Sequence, residues 1–163
     1  MPRVIVNSTP LILLAGIDML DIFAELYGKV AIPQEVFNEV TAKADSASRA
    51  LLARLDWLIV ECAPELPDDY RRLISAKLHV GELEVMALAL ATGVDAVVLD
   101  DNAARRTAKF FGLPVTGTLG LLLRAKERGI VPEVEPLIHA LLAKGFRVDD
   151  RVVGAVLELA HER

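Results

Sequence analysis

Short runs of apolar residues alternate along this chain with longer stretches in which apolar residues recur every three or four positions. The short runs are typical of buried strands, and the longer stretches are typical of helices that pack one face on a core. The pattern predicts five strands, at residues 4–6, 29–33, 57–62, 97–99 and within 113–118. It predicts helices at residues 9–15, 18–28, 33–44 and 46–55, within 64–82, and at 81–93, 102–112, 118–129, 133–144 and 150–161.

Capping and turn-forming residues mark the ends of several predicted helices. Thr9 precedes Pro10, a pair that favours a helix start, and Gly28 and Gly93 follow two predicted helix ends. Because strands and helices alternate, we predict an α/β fold whose parallel sheet is covered on both faces, with strand 4–6 at its centre. No repeat or linker interrupts the pattern, so residues 1–163 are expected to form a single domain that includes C-terminal helices from about residue 133.

Composition excludes several classes of protein. Apolar residues make up 53% of the 163 residues and the mean hydropathy is +0.41, which excludes an intrinsically disordered chain. No apolar run approaches the ~20 residues of a membrane span, and the N-terminal apolar segment is too short and too polar for a signal peptide. Cys62 stands alone, so a reducing, cytoplasmic location is expected.

The net charge of −5 gives no overall attraction for nucleic acid, so such a ligand needs a local basic patch or a bound cation. Basic residues do cluster, at positions 105, 106 and 109 and at 124, 126 and 128, each after a predicted strand. Ordinary solvated helix faces are the alternative explanation. Arg105 is the strongest candidate, because it lies one turn beyond Asp101, where it can pair with acids or bind a phosphate.

Polar residues follow the ends of two predicted strands, where sites form in parallel α/β sheets. They are Asn7, Ser8 and Thr9 after the first strand, and Asp100 and Asp101 after the fourth. Nearby helix starts add the acids Glu35, Glu39, Glu82 and Glu84. Each acid has a structural alternative, as a partner of a helix dipole or as an ordinary solvated surface acid, and Asp101 has a further one as the cap of the next helix. Converging carboxylates repel one another unless a cation intervenes, and Mg²⁺ or Mn²⁺ suits oxygen ligands, so a metal-dependent phosphodiesterase is indicated.

The segment 116–120, TGTLG, matches neither a P-loop nor a dinucleotide-binding fingerprint. A tight strand-to-helix turn explains it, although the hydroxyls of Thr116 and Thr118 lie at the same predicted sheet edge, where they can contact phosphate. The three histidines lack metal-ligand spacing, and Cys62 has no recognisable partner.

Four segments occur with an order and spacing that resemble a PIN-domain protein: VNSTPLILLAGI, VAIPQEVFNEV, GELEVMALALATGVDAVVLDDNAARRTA and LPVTGTLGLLLRAKERGIV. The closer resemblance is to an uncharacterised prokaryotic subgroup of PIN-like proteins that is related to VapC-type toxins. The tail 136–160 is similar to the C-terminal helices of that subgroup, so the resemblance covers nearly the whole chain.

This resemblance implies a three-layer α/β/α sandwich with a five-stranded parallel sheet, and an endoribonuclease that uses Mg²⁺ or Mn²⁺ to cleave single-stranded RNA. It also implies a toxin that a cognate antitoxin protein blocks, and a homodimer. Matched by position, the catalytic acids are Glu39, Glu82 and Asp100, and the metal ligands are these three with Asn7 and Asp101. The expected substrate-binding residues are Ser8, Thr9, Arg105, Thr116 and Thr118.

Asn7 stands where the first aspartate of that family is normally found. Its amide oxygen can coordinate a metal, but it brings no negative charge and cannot accept a proton from an attacking water. Some members of the subgroup are similar in having asparagine here. Two hypotheses follow: a metal-dependent ribonuclease of toxin type, or a PIN-like module with weakened or lost catalysis that binds a protein or RNA partner.

Overall fold

The computed structural model describes residues 2–74 and 77–163, and its centre is a five-stranded parallel sheet. The strands are β1 (Val4–Val6), β2 (Val30–Pro33), β3 (Leu58–Glu61), β4 (Ala96–Val98) and β5 (Val115–Thr116). Their spatial order is β3-β2-β1-β4-β5, and Ile5 of β1 lies in register with Ala31 on one side and Val97 on the other. The five predicted strands and the central position of β1 are confirmed.

Helices flank the sheet and complete a three-layer α/β/α arrangement. They are α1 (Ser8–Gly16), α2 (Ile22–Tyr27), α3 (Gln34–Thr41), α4 (Ser46–Leu52), α5 (Asp68–Arg71), α6 (Val80–Thr92), α7 (Asn102–Phe110), α8 (Thr118–Glu127), α9 (Glu135–Ala143) and α10 (Asp150–Leu159). Helix α6 packs on β1 and β2, whereas α1 packs against α3, α4, α8 and α9. The three central strands β1, β2 and β4 are short and almost wholly buried, as expected of a sheet covered on both faces, whereas the edge strands β3 and β5 are partly exposed.

Most predicted helix boundaries differ from the observed ones by one to three residues, and two predictions, the helix start at 18 and the helix within 64–82, differ more. Helix α1 begins at Ser8 with Asn7 in the capping position, one residue before the predicted start at Thr9. Helix α2 begins at Ile22 instead of 18, because Asp18 has a left-handed backbone with φ of 56° that interrupts a helix. The predicted helix within 64–82 is the single short turn α5 followed by the start of α6, and positions 75 and 76 of that stretch lie outside the described residues.

The strand order places a crevice between β1 and β4. Successive connections lead from β1 outward to β2 and β3, and the next connection crosses back to β4 on the other side of β1. Ligands in such sheets bind beyond the carboxyl ends of the strands at the point where the order reverses. Asn7 directly follows β1, and Asp100 and Asp101 lie just beyond β4, so the predicted polar residues flank this crevice.

A half-buried carboxylate just after α10 helps to hold the C-terminal helices on the fold. Glu162 accepts hydrogen bonds from the backbone N–H groups of Val134 (2.8 Å) and Glu135 (2.9 Å) at the start of α9, and pairs with Lys126 Nζ at 2.9 Å. Desolvation opposes ionisation of Glu162, but these donors together hold its pKa below the usual range. Among the described residues, every helix is too short or too polar to cross a membrane.

Candidate functional site

Four residues at the β1 side of the crevice form what we call the acidic cluster: Asn7, Glu39, Glu82 and Asp101. They come from four separate elements, at the end of β1, on α3, in the first turn of α6 and at the start of α7. The carboxylates of Glu39 and Asp101 both act on the ionisation of Glu82, so the acids share one electrostatic environment. The structure therefore places four of the five residues predicted as metal ligands around one crevice, although no three of the acids among the described residues lie close enough to hold a metal by themselves.

Asn7 is almost fully buried, with 4% of its surface exposed, and its Oδ1 atom has no hydrogen-bond partner among the described residues. Its backbone is fixed, because its N–H group donates to the carbonyl of Val98 at 3.1 Å. A buried oxygen without a donor costs about 1–3 kcal/mol, so native proteins keep such atoms for a reason. A cation or water in the crevice would satisfy this oxygen.

Glu39 lies beside the same unpaired oxygen, next to a residue that has no side chain. Ser8 Oγ donates to Glu39 Oε2 at 2.6 Å, which fixes the carboxylate. A Cβ atom placed on Gly81 would lie 2.9 Å from Glu39 Oε1 and 3.8 Å from Asn7 Oδ1. Glycine at position 81 therefore keeps open a space onto which an amide oxygen and a carboxylate oxygen converge. The sequence signal for this space was the glycine directly before the acid at the start of α6.

Glu82 is buried, with 4% exposure, and belongs to the first turn of α6. The pKa of its carboxyl group is raised, chiefly by desolvation. The His79 N–H donates to Oε1 at 3.0 Å and lowers the pKa, whereas the negative charges of Asp101 and Glu39 raise it further. Like charges thus share this crevice, and a positive charge between them would relieve the repulsion.

Asp101 is exposed and caps α7, since its Oδ2 accepts the Ala104 N–H at 2.9 Å. The structural alternative considered for this residue, a helix cap, is therefore confirmed. The cap occupies one carboxylate oxygen, and Oδ1 makes no hydrogen bond within the described chain. Asp101 is in a position to cap a helix and to contribute charge to the acidic cluster at the same time.

Asp100 points to a different set of contacts. Its Oδ1 accepts the N–H of Thr118 at 2.9 Å and its Oδ2 accepts the Thr118 hydroxyl at 2.6 Å, which ties the end of β4 to the start of α8. The pKa of Asp100 is raised, because the effect of burial outweighs the two Thr118 hydrogen bonds and the charge of Arg105, which lower it. A Cβ atom on Gly117 would lie 2.8 Å from Arg105 Nη1 and 2.9 Å from Asp100 Oδ1. The TGTLG segment therefore needs glycine at position 117 because the side chains of Arg105 and Asp100 approach it closely. The backbone does not require glycine there, since the φ of −115° at Gly117 is ordinary.

The predicted substrate-binding residues divide by what their side chains already contact. The hydroxyls of Ser8 and Thr118 are taken by carboxylates, and Arg105 Nη1 donates to the Leu99 carbonyl at 2.9 Å. Thr9 is exposed on α1. Arg105 and Thr116 line a cavity of about 460 Å³, together with Asp100 and Asn102, the two chain neighbours of Asp101. No residue of the acidic cluster itself lines this cavity.

The second basic segment does not face the crevice. Arg124 donates to the Tyr27 hydroxyl at 3.3 Å, Lys126 to the Ala160 carbonyl, and Arg128 to the Leu26 carbonyl at 2.9 Å. These three cations hold α8 against α2 and the chain end. Two acids that the sequence placed near the site also have a structural contact, because Glu84 Oε1 accepts the N–H of Glu35 at 3.1 Å.

The acidic cluster fits a hydrated hard cation better than an all-protein metal cage. Within residues 2–74 and 77–163, no three His, Cys, Asp or Glu side chains converge closely enough to hold a metal. Mg²⁺ commonly binds through one or two carboxylates and keeps several waters. The Asn7 amide oxygen and the Glu39 carboxylate, on either side of the space at Gly81, fit that requirement.

Comparison with known protein families shows which family this chain belongs to. Residues 3–162 match the family model DUF3368, described as a PIN domain. The chain belongs to the PIN-domain family. No curated protein matches this PIN-domain chain. Family membership indicates a nuclease-type function and nucleic-acid binding, and PIN domains generally use divalent metal ions.

Proposed function

We propose that this PIN-domain protein is a divalent-metal-dependent endoribonuclease that cleaves single-stranded RNA. The observation that carries the proposal is the unpaired, buried Oδ1 of Asn7 beside the Glu39 carboxylate, in a crevice that also holds the charges of Glu82 and Asp101. Such a cluster repels a phosphodiester unless a cation lies between them. Mg²⁺ or Mn²⁺ suits these oxygen donors.

The residues on the β1 side of the crevice have separate roles in this proposal. When bound, a divalent ion would supply a water of lowered pKa and would neutralise charge on the phosphate. Asn7 and Glu39 would hold the ion, and Ser8 orients Glu39 through its 2.6 Å hydrogen bond. Glu82 and Asp101 provide the negative charge that the Asn7 amide lacks.

The other side of the crevice positions the substrate. Arg105 and Thr116, both partly exposed, present N–H and O–H donors to a phosphate in the adjoining cavity. We assign Asp100, one of the three acids expected to be catalytic, a positioning role, because both of its oxygens already accept hydrogen bonds from Thr118. It holds the start of α8, and with it Thr116 and Gly117, against the crevice.

Cleavage of labelled single-stranded RNA with Mn²⁺ or Mg²⁺ tests the proposal. Glu39→Gln keeps an oxygen for the Ser8 hydroxyl but removes the charge, so cleavage is expected to fall by more than about tenfold. Glu25→Gln, a neutralised exposed glutamate on α2, is the matched control and retains cleavage. Full activity of Glu39→Gln, or cleavage that persists in EDTA, would contradict a metal site at Glu39.

We also propose that the protein acts as the toxin of a toxin–antitoxin pair, as a homodimer. The support is the sequence resemblance to VapC-type toxins. Induced expression in a bacterium is expected to arrest growth, Glu39→Gln is expected to be harmless, and co-expression of a small neighbouring gene product is expected to restore growth. Equal arrest by wild type and Glu39→Gln would argue against a toxin that acts through this crevice.

A second candidate function is a PIN-like module that binds a protein or RNA partner with little or no catalysis. Asn7 favours it, since an amide in place of a carboxylate lowers the affinity for a cation. Calorimetric titration with Mn²⁺ separates the candidates. Saturable binding accompanied by RNA turnover supports the nuclease, whereas RNA binding without metal binding or turnover supports the module.

A further inference from the structure

One face of α7 carries exposed residues in an unbroken row that starts at the acidic cluster. Asn102, Arg106, Lys109 and Phe110 are all exposed, and their spacing of four, seven and eight positions places them on one side of the helix. We call these four residues the α7 stripe. The opposite side of the helix is buried through Ala104 and Ala108.

The charge of this helix is opposite to that of the chain. Residues 102–110 contain three cations and no acid, although the whole chain carries a net charge of −5. Within the described residues, neither Arg106 nor Lys109 forms an ion pair or a side-chain hydrogen bond. Both cations are therefore available to an external anion.

Phe110 ends the stripe and is the most exposed of the exposed large apolar residues, at 71%. Its ring lies 5.9 Å from the ring of Phe111, which in turn meets Tyr70 edge-on at 5.1 Å. Phe110 is thus braced on one side and open on the other. An aromatic face beside unpaired cations is the combination that binds the bases and phosphates of single-stranded nucleic acid.

We propose that the α7 stripe binds single-stranded RNA outside the cleavage site, which deepens the proposed function and rests on it. The rise of a helix puts Phe110 about 12 Å along the axis from Asn102. In this proposal the RNA leaves the crevice along α7, with phosphates bound to Arg106 and Lys109 and a base stacked on Phe110. A two-fold contact between copies of this chain is disfavoured here, because it would bring the unpaired cations of both copies together.

Fluorescence anisotropy with a labelled RNA of about 12 nucleotides tests the stripe. Measuring in EDTA removes cleavage, so the result is independent of the proposed catalysis. Phe110→Ala is expected to weaken the Kd about tenfold, and Phe110→Trp to restore it. Arg106→Gln and Lys109→Gln are each expected to reduce the slope of log Kd against log salt by about 0.7.

Matched controls carry the same changes on α10 and at the end of α9. Leu159→Ala removes another exposed apolar side chain (64% exposed), and Lys144→Gln removes another exposed cation. Both are expected to bind RNA as the wild type does. Wild-type affinity in Phe110→Ala, or equal losses in the controls, would overturn the proposal even if the protein cleaves RNA. A dimer that dissociates in Phe110→Ala during sedimentation would instead identify a protein interface and overturn it too.

Discussion

Replacement of Gly81 by alanine would put one methyl group into the space between Glu39 and Asn7. The new Cβ would lie 2.9 Å from Glu39 Oε1, closer than carbon and oxygen pack, and 3.8 Å from Asn7 Oδ1, while the Val36 methyl at 3.5 Å is an ordinary contact. The Glu39 carboxylate is the far end of a flexible side chain, so it moves instead of the backbone. The change thus separates two oxygens that we propose hold a cation.

Two opposing effects of similar size set the stability of Gly81→Ala. Alanine in place of a helical glycine stabilises by up to about 1 kcal/mol. Displacing Glu39 costs its hydrogen bond from Ser8, which is worth about 1 kcal/mol at a partly exposed site. The free energy of unfolding is therefore expected to stay within about 1 kcal/mol of wild type, whereas Mn²⁺ affinity and RNA cleavage fall at least about tenfold.

Urea denaturation, calorimetric titration with Mn²⁺ and RNA cleavage measure these quantities separately. The matched control is Gly154→Ala in α10, where the nearest atom to the new Cβ is Arg163 Nη1 at 3.7 Å. This control is expected to stabilise the protein slightly and to leave cleavage unchanged. If Gly81→Ala binds Mn²⁺ and cleaves RNA as the wild type does, the space beside Gly81 is not the metal site.

Three further predictions follow from the crevice and from the C-terminal carboxylate. Asn7→Asp is expected to tighten Mn²⁺ binding and raise RNA cleavage, because a fourth charge joins the cluster; unchanged binding by calorimetry would contradict this. Asp101→Asn keeps the helix cap and is expected to lose cleavage without loss of stability, whereas Asp100→Asn is expected to lower the melting temperature. Glu162→Gln is expected to destabilise by about 2 kcal/mol at neutral pH, and Glu158→Gln by almost nothing. The pKa of Glu162 is lowered on folding, so the full destabilisation by Glu162→Gln is expected above pH 4.5, the ordinary pKa of a glutamate. The destabilisation is expected to disappear as the pH falls through the pKa of Glu162 in the folded protein. Urea denaturation at several pH values measures this dependence.

The amino-acid sequence by itself determined the order of the elements and the class of the fold. Short apolar runs such as 4–6 and 96–98 have no polar side to present to solvent, so they fold as strands covered on both faces. The parallel sheet then fixes which ends of the strands meet. Asn7 therefore came close to the end of β4 in prediction and in structure. The boundary of α2 was less predictable, because nothing in the local pattern marks the left-handed backbone at Asp18.

Only the tertiary structure determined which acids lie at the proposed metal site and which hold parts of the fold together. Asp100 and Asp101 are neighbours at the end of a strand, and successive side chains of an extended chain point in opposite directions. Which of them meets Thr118 and which approaches Glu82 depends on the position of α8, a long-range contact that no local pattern encodes. The requirement for glycine at 81 and 117 likewise arises from atoms distant in the chain.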